Sequence, residues 1–260
     1  MMKQHRPRKR FGQNFLHHPQ VIQQIVAAIA PREEDFLVEI GPGQGALTQP
    51  LLAQAKRLVA IEFDRDLVQY LQGQNWGELT IYQADVLKFD FAELNQPVLR
   101  IVGNLPYNIS TPLLFHVLHY AECIQDMVFM LQKEVVDRIV AQPNCADYGR
   151  LSVMLQYHCQ AEKLFDVSPA AFNPPPKVDS SIVHLIPHKQ PPVEINDKIL
   201  FEKLVAQAFT QRRKTLRNNL KPLLSVEQIE QVGINPQVRA ETLSLQEFAA
   251  LSNLLMPESD

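Results

Sequence analysis

Apolar positions change their period along this chain, and the change divides it. Val21, Ile22, Ile25, Val26 and Ile29 recur at helical spacing, predicting an amphipathic helix that Pro31 helps to stop. Phe36 to Ile40 is a short apolar run broken only by Glu39, the composition of a strand buried on both faces. Further runs at Leu58 to Ile61, Leu79 to Ala84, Val98 to Val102, Met127 to Leu131 and Ser181 to Ile186 also read as strands. A helix over Glu134 to Val140 and a helical or mixed stretch from Arg150 to Cys159 fall between the last two. Strands separated by helix-length segments predict an α/β fold with a mainly parallel sheet. Pro187 to Ile195, with Pro191-Pro192 at its centre, reads as a linker. Beyond it only helical patterns remain: the stripe Phe201, Leu204, Val205, Ala208 and Phe209, and capping boxes opening at Ser225 and Ser244. Gly233 suits the end of the helix begun at Ser225. The expected organisation is a domain over residues 1–187, a linker over 188–195 and a smaller helical domain over 196–260.

The residues that close the strands carry the chemistry. Gly41-Pro42-Gly43-Gln44-Gly45 follows the first strand, and Ala46-Leu47-Thr48 then opens a helix whose free amides face the loop. Glu62 ends the second strand about 20 residues after Gly41, the distance at which doubly wound folds set a carboxylate on ribose hydroxyls. Asp85 closes the third strand, Asn104-Leu105-Pro106-Tyr107 follows the fourth, and Thr111-Pro112 reads as a capped helix start. Glu39, Glu62, Asp85 and Asn104 thus converge on one sheet edge, which points to an adenosine-type ligand. The series is Gly-x-Gly-x-Gly, unlike the dinucleotide fingerprint, and favours S-adenosylmethionine. Asn104 through its side-chain carbonyl and Leu105 through its backbone carbonyl can accept hydrogen bonds from an exocyclic amine, with Tyr107 stacking on the ring. An adenine amine is a poor nucleophile, so aiming its lone pair matters more than a base. Phe172 heads the run Phe172-Asn173-Pro174-Pro175-Pro176-Lys177-Val178-Asp179-Ser180, either a stiff connection or a second aromatic wall.

Composition alters this picture in one respect. The net charge of -3 and pI near 6.2 argue weakly against a nucleic-acid partner. Yet Lys3, Arg6, Arg8, Lys9 and Arg10 crowd the first residues, and Arg212, Arg213, Lys214, Arg217 and Lys221 form a second cluster without an acid among them. Cys123, Cys145 and Cys159 have no paired spacing and the histidines no ligand spacing, so neither a disulfide framework nor a metal is expected. No run approaches the roughly 18 apolar residues of a membrane span. The basic start is too short in apolar residues for a secretory signal, and a cytoplasmic location is expected.

Gln13-Asn14-Phe15-Leu16, Glu39 to Gly45, Asn104 to Tyr107, Phe172 to Ser180 and Arg212 to Leu220 together resemble the ribosomal RNA adenine dimethyltransferase family over nearly the whole chain. The resemblance implies a Rossmann-like sheet of the S-adenosylmethionine-dependent methyltransferases, with a smaller all-helical C-terminal domain. It implies dimethylation of two adjacent adenosines in a hairpin loop near the 3′ end of 16S rRNA, within the small ribosomal subunit. By the same pattern Asn14, Leu16, Gly41, Glu62, Asp85 and Asn104 hold the cofactor, Glu62 on the ribose and Asp85 on the adenine amine. Asn104, Leu105, Tyr107 and Phe172 receive the target base, and Arg8, Lys9, Arg10, Arg212, Arg213, Lys214 and Arg217 contact RNA phosphates. A monomer is expected. The rivals are a large-subunit rRNA adenine methyltransferase of the antibiotic-resistance type, a non-catalytic assembly factor and a nicotinamide oxidoreductase.

Overall fold

The computed structural model describes residues 13–255. In chain order the first unit contributes β1 (Phe15–Leu16), α1 (Pro19–Ile29), β2 (Leu37–Ile40), α2 (Thr48–Ala55), β3 (Arg57–Glu62), α3 (Arg65–Gln72), β4 (Glu78–Gln83), β5 (Leu99–Asn104), α4 (Ser110–Leu118) and β6 (Ile124–Gln132). There follow α5 (Lys133–Val140), α6 (Arg150–His158), β7 (Cys159–Val167), β8 (Phe172–Asn173) and β9 (Ser180–Pro187). Seven strands form one sheet in the order β4-β3-β2-β5-β6-β9-β7. The pairs among β4, β3, β2, β5 and β6 are parallel, and β9 runs antiparallel to β6. The order reverses direction at β2, so the carboxyl ends of β2 and β5 flank the crevice where such sheets bind ligands.

All four residues of β2 are buried, as are five of six in β3 and in β5, which matches the continuous apolar runs read from the sequence. One face is covered by α1 and α2: Ile25, Val26, Ile29, Leu51 and Leu52 share a cluster with Leu37, Leu58, Val102 and Ile182. β1 and β8 form a separate two-stranded ladder, Phe15 opposite Asn173 and Leu16 opposite Phe172. At the amino end of β5, Arg100 donates to both carboxylate oxygens of Asp126 (2.7 and 2.9 Å), to Asp35 (2.5 Å) and to the Ile29 carbonyl (2.6 Å). His184 lies 3.0 Å from the same Asp126. This buried network ties the end of α1 to β5 and β6, away from the carboxyl ends.

The second unit comprises Asp137–Ala161 and the chain from His188 onward. Its helices are α6, α7 (Lys198–Ala208), α8 (Leu216–Leu220), α9 (Val226–Gln231) and α10 (Leu245–Ser252). Both capping boxes form, Ser225 with Gln228 and Ser244 with Glu247, and Gly233 follows α9 with φ 77°. The grouping differs from the expected boundaries, which left 137–161 in the first domain. The cause is packing: the Tyr157 ring sits 5.1 Å from Phe201, and Tyr148 sits 6.3 Å from Phe209. The expected linker is also held within this unit, since Asn253 Nδ2 donates to the Glu194 carbonyl and Asn253 Oδ1 accepts from the Asn196 amide.

Four elements escaped the hydrophobic pattern. β7 lies at the edge of the sheet, and Gln160, Glu162 and Lys163 dilute its apolar residues. α3 is short and capped by Asp64, whose carboxylate accepts from the Asp66 amide at 3.0 Å. β1 and β8 have two residues each, too few for a period. The helix start expected with Thr111 as cap and Pro112 as first residue falls two residues earlier: α4 begins at Ser110, and its N-cap Ile109 makes no side-chain cap. No described helix is long and apolar enough to cross a membrane.

Candidate active site

A cavity of about 320 Å³ opens at the carboxyl ends of β2, β3 and β5. The glycine turn forms one wall. Gly41 adopts φ 66°, a conformation that L side chains rarely enter, so the strand turns there without blocking the opening. At the end of β3, Glu62 is 7% exposed and accepts from the amides of Asp64 (2.8 Å) and Gly43 (3.3 Å). Those bonds aim its carboxylate at the turn, while burial pushes its pKa up. Asp85 also lines the cavity, and one of its oxygens accepts from the Leu87 amide at 3.1 Å, so it is cap and lining residue at once. Glu39, 2% exposed, accepts from the Thr48 hydroxyl at 2.6 Å. Burial, reinforced by the nearby Glu62 charge, raises it to about 7 against the lowering effect of Thr48.

The other wall is the turn after β5. Asn104, Leu105, Pro106 and Tyr107 all line the cavity. Asn104 Nδ2 donates to the Asn14 carbonyl at 3.3 Å, which fixes the amide with Oδ1 as its acceptor. The segment Gln13 to Leu16 crosses the same opening, with Gln13 Nε2 on Asp64 Oδ2 at 3.2 Å and β1 stapled to β8. Tyr107 is half-buried, and its phenol bonds Ser180 Oγ at 2.7 Å.

Every cofactor position expected from the sequence, namely Asn14, Leu16, Gly41, Glu62, Asp85 and Asn104, therefore lines one cavity. Phe172 does not. Its ring is 3% exposed, opposite Leu16 in the short ladder and inside the core cluster with Val167 and Ala171. Burying such a ring contributes roughly 1.5–3 kcal/mol, and that packing places it in the core, off the cavity lining. Arg8, Lys9 and Arg10 lie outside the described residues. Arg212, Arg213, Lys214 and Arg217 are all exposed, and Arg212 also donates to the carbonyls of Ala146 and Tyr148 and approaches Glu241. Among the lining residues that were missed are Phe63, 58% exposed, and Asp64. A large apolar ring directly after a strand-ending acid was the available signal.

Charge decides which ligand fits. The charged side chains lining the cavity are Glu39, Glu62, Asp64 and Asp85, all acids, with no Lys, Arg or His among the described lining residues. Such a wall repels a pyrophosphate and attracts a cation. A sulfonium-bearing adenosine supplies that cation.

Comparison with known proteins agrees with that geometry. The sequence profile of the family "Ribosomal RNA adenine dimethylase" matches residues 4–256. The chain belongs to the ribosomal RNA adenine dimethylase family. A curated relative from Pseudomonas aeruginosa, named Ribosomal RNA small subunit methyltransferase A, is 57% identical over 97% of this chain and 96% of its own length. Among solved structures, a dimethyladenosine transferase from Plasmodium falciparum superposes with a TM-score of 0.76 at 26% identity, covering 91% of this chain and 95% of that one. The 23S rRNA methyltransferase ErmE gives 0.70 at 25% identity, covering 93% and 99%. The chain is thus an S-adenosylmethionine-dependent methyltransferase acting on ribosomal RNA, with the α/β sheet of that class. The nicotinamide oxidoreductase and the non-catalytic factor fall away with this membership and with the acidic cavity.

Proposed function

We propose that this enzyme dimethylates the exocyclic amines of two adjacent adenosines in a hairpin loop near the 3′ end of 16S rRNA, within the small ribosomal subunit. The observation that carries the reading is one cavity in which the acidic cofactor wall faces Asn104 to Tyr107. Small-subunit rRNA is favoured over large-subunit rRNA by the relatives: those named for the small subunit share 53% and 57% of their residues with this chain, ErmE 25%. The protein acts as a monomer in the cytoplasm, where subunits assemble.

Glu62 takes the ribose hydroxyls, Asp85 the adenine amine and Phe63 the adenine face of the cofactor, while Asn14, Leu16 and Gly41 close around it. The bound cofactor supplies a methyl group on a positively charged sulfur. The chain's own residues do the rest. Asn104 Oδ1 and the Leu105 carbonyl accept the two amine protons of the target adenine, turning its lone pair toward the cofactor side of the cavity. Tyr107 stacks on the extruded base, which must leave its RNA helix to enter. No side chain is needed as a strong base, since the amine proton becomes acidic once the nitrogen is methylated and leaves to water.

Asn104→Ala tests this directly. Transfer of labelled methyl groups to methyl-free small subunits should fall by at least about a hundredfold, the scale of losing a preorganised polar contact in a reaction centre. Cofactor affinity by calorimetry should change by no more than a few-fold. Near-normal transfer by this variant, or product mapped to large-subunit rRNA, would sink the assignment.

A further inference from the structure

We infer that Ser180 is a positioning residue of the transfer reaction, its hydroxyl holding the Tyr107 ring in the orientation that receives the target adenine. This rests on reading Asn104 to Tyr107 as the reaction centre. Tyr107 stands on a turn and is half exposed, so its ring has two torsions to lose when a base stacks on it. The fold anchors the residue at two points, its backbone and the far end of its ring. Its carbonyl accepts from the Ser110 hydroxyl at 3.1 Å, and its phenol oxygen meets Ser180 Oγ at 2.7 Å, where either oxygen can donate.

Ser180 is suited to be the fixed partner. It has no exposed surface, and it opens β9 opposite Gln132 of β6, next to a bond from the Lys133 amide to the Asp179 carbonyl at 2.9 Å. A fully buried hydroxyl needs a hydrogen-bond partner, and in this strand the partner is the phenol of the reaction centre. Ser180 does not line the cavity, so it touches neither the cofactor nor the base and acts only through Tyr107. The proline-rich run from Phe172 to Ser180 thereby delivers a rigid hydroxyl to the ring. Burial raises the Tyr107 pKa, so the phenol keeps its proton and the pair persists at neutral pH and above.

The test is a cycle of full-length variants, Ser180→Ala, Tyr107→Phe and the double, assayed with labelled S-adenosylmethionine on methyl-free small subunits. Each single change should lower kcat about tenfold, the kinetic equivalent of roughly one hydrogen bond. Cofactor Kd should stay unchanged, and the double variant should be no slower than either single one, because both remove the same bond. Wild-type kcat in either single variant, or effects that multiply in the double, overturns the inference. Tyr107→Phe keeps the ring and breaks the bond from the other side, so misfolding of Ser180→Ala leaves the test intact. Tyr107→Ala separates the two ideas. If it transfers at full rate, the reaction-centre reading of Tyr107 falls; if it is inactive while Tyr107→Phe and Ser180→Ala are normal, only the role of Ser180 falls.

Discussion

Glu39 is the residue with the least expected chemistry. It sits inside β2, where a strand buried on both faces has room for a carboxylate only if it is neutral or paired. Burial, with the Glu62 charge adding to it and the Thr48 hydroxyl opposing it, moves its pKa from 4.5 to about 7. A carboxyl whose folded value lies above its unfolded value binds more protons in the folded state. Stability therefore falls as pH rises from the unfolded value through about 7, and is lowest above it. The shift corresponds to a destabilisation on the order of 3 kcal/mol at high pH. Glu39→Gln keeps an acceptor for Thr48 and removes the titration. Its melting temperature should exceed that of the unmodified protein at pH 8, and the gap should close toward pH 5. A gap independent of pH would show that Glu39 does not titrate in this range.

Among elements, the glycine turn shows what a pattern can and cannot carry. Read alone, the series suggests close backbone approach to a ligand. At Gly45 the group that approaches is the chain itself: a Cβ there would stand 2.3 Å from Cη2 and Cζ3 of Trp76, in a backbone with φ 84°. Trp76 is far away in sequence and lies just before β4, so no local period reveals the contact. Gly45→Ala should therefore both strain the turn and displace the indole, lowering stability by roughly 2 kcal/mol and weakening cofactor binding. The sequence has one tryptophan, so its emission should shift to the red in the variant. An unshifted spectrum with normal melting would remove this packing role. The same distinction explains what was legible. Glu62, Asp85 and Asn104 were readable because a parallel sheet places every strand's carboxyl end at one edge, so local order predicts where they meet. Phe172 was misplaced because its fate depends on Leu16, more than 150 residues earlier. The attachment of α6 to the second unit depends likewise on a partner remote in sequence, Phe201 against Tyr157.

At the scale of the whole molecule, charge is separated along the chain. The cavity acids belong to the first unit, whereas Arg213, Lys214 and Arg217 are exposed on the second, which hides a basic patch within a net charge of -3. Arg212 stands apart from that patch, because its guanidinium already serves the carbonyls before α6. The four cations thus divide into one engaged with backbone carbonyls of its own unit and three exposed ones to be tested as phosphate contacts. Replacing Arg213, Lys214 and Arg217 by Gln should leave melting and cofactor affinity nearly unchanged. Binding to methyl-free small subunits should weaken, and the slope of log affinity against log salt should flatten by about 2 to 3, near one for each phosphate that is no longer neutralised. Arg212→Gln should do the reverse, lowering the melting temperature with little change in slope. A triple variant with an unaltered slope would exclude this face from the RNA interface and leave the recognition of the subunit to the first unit.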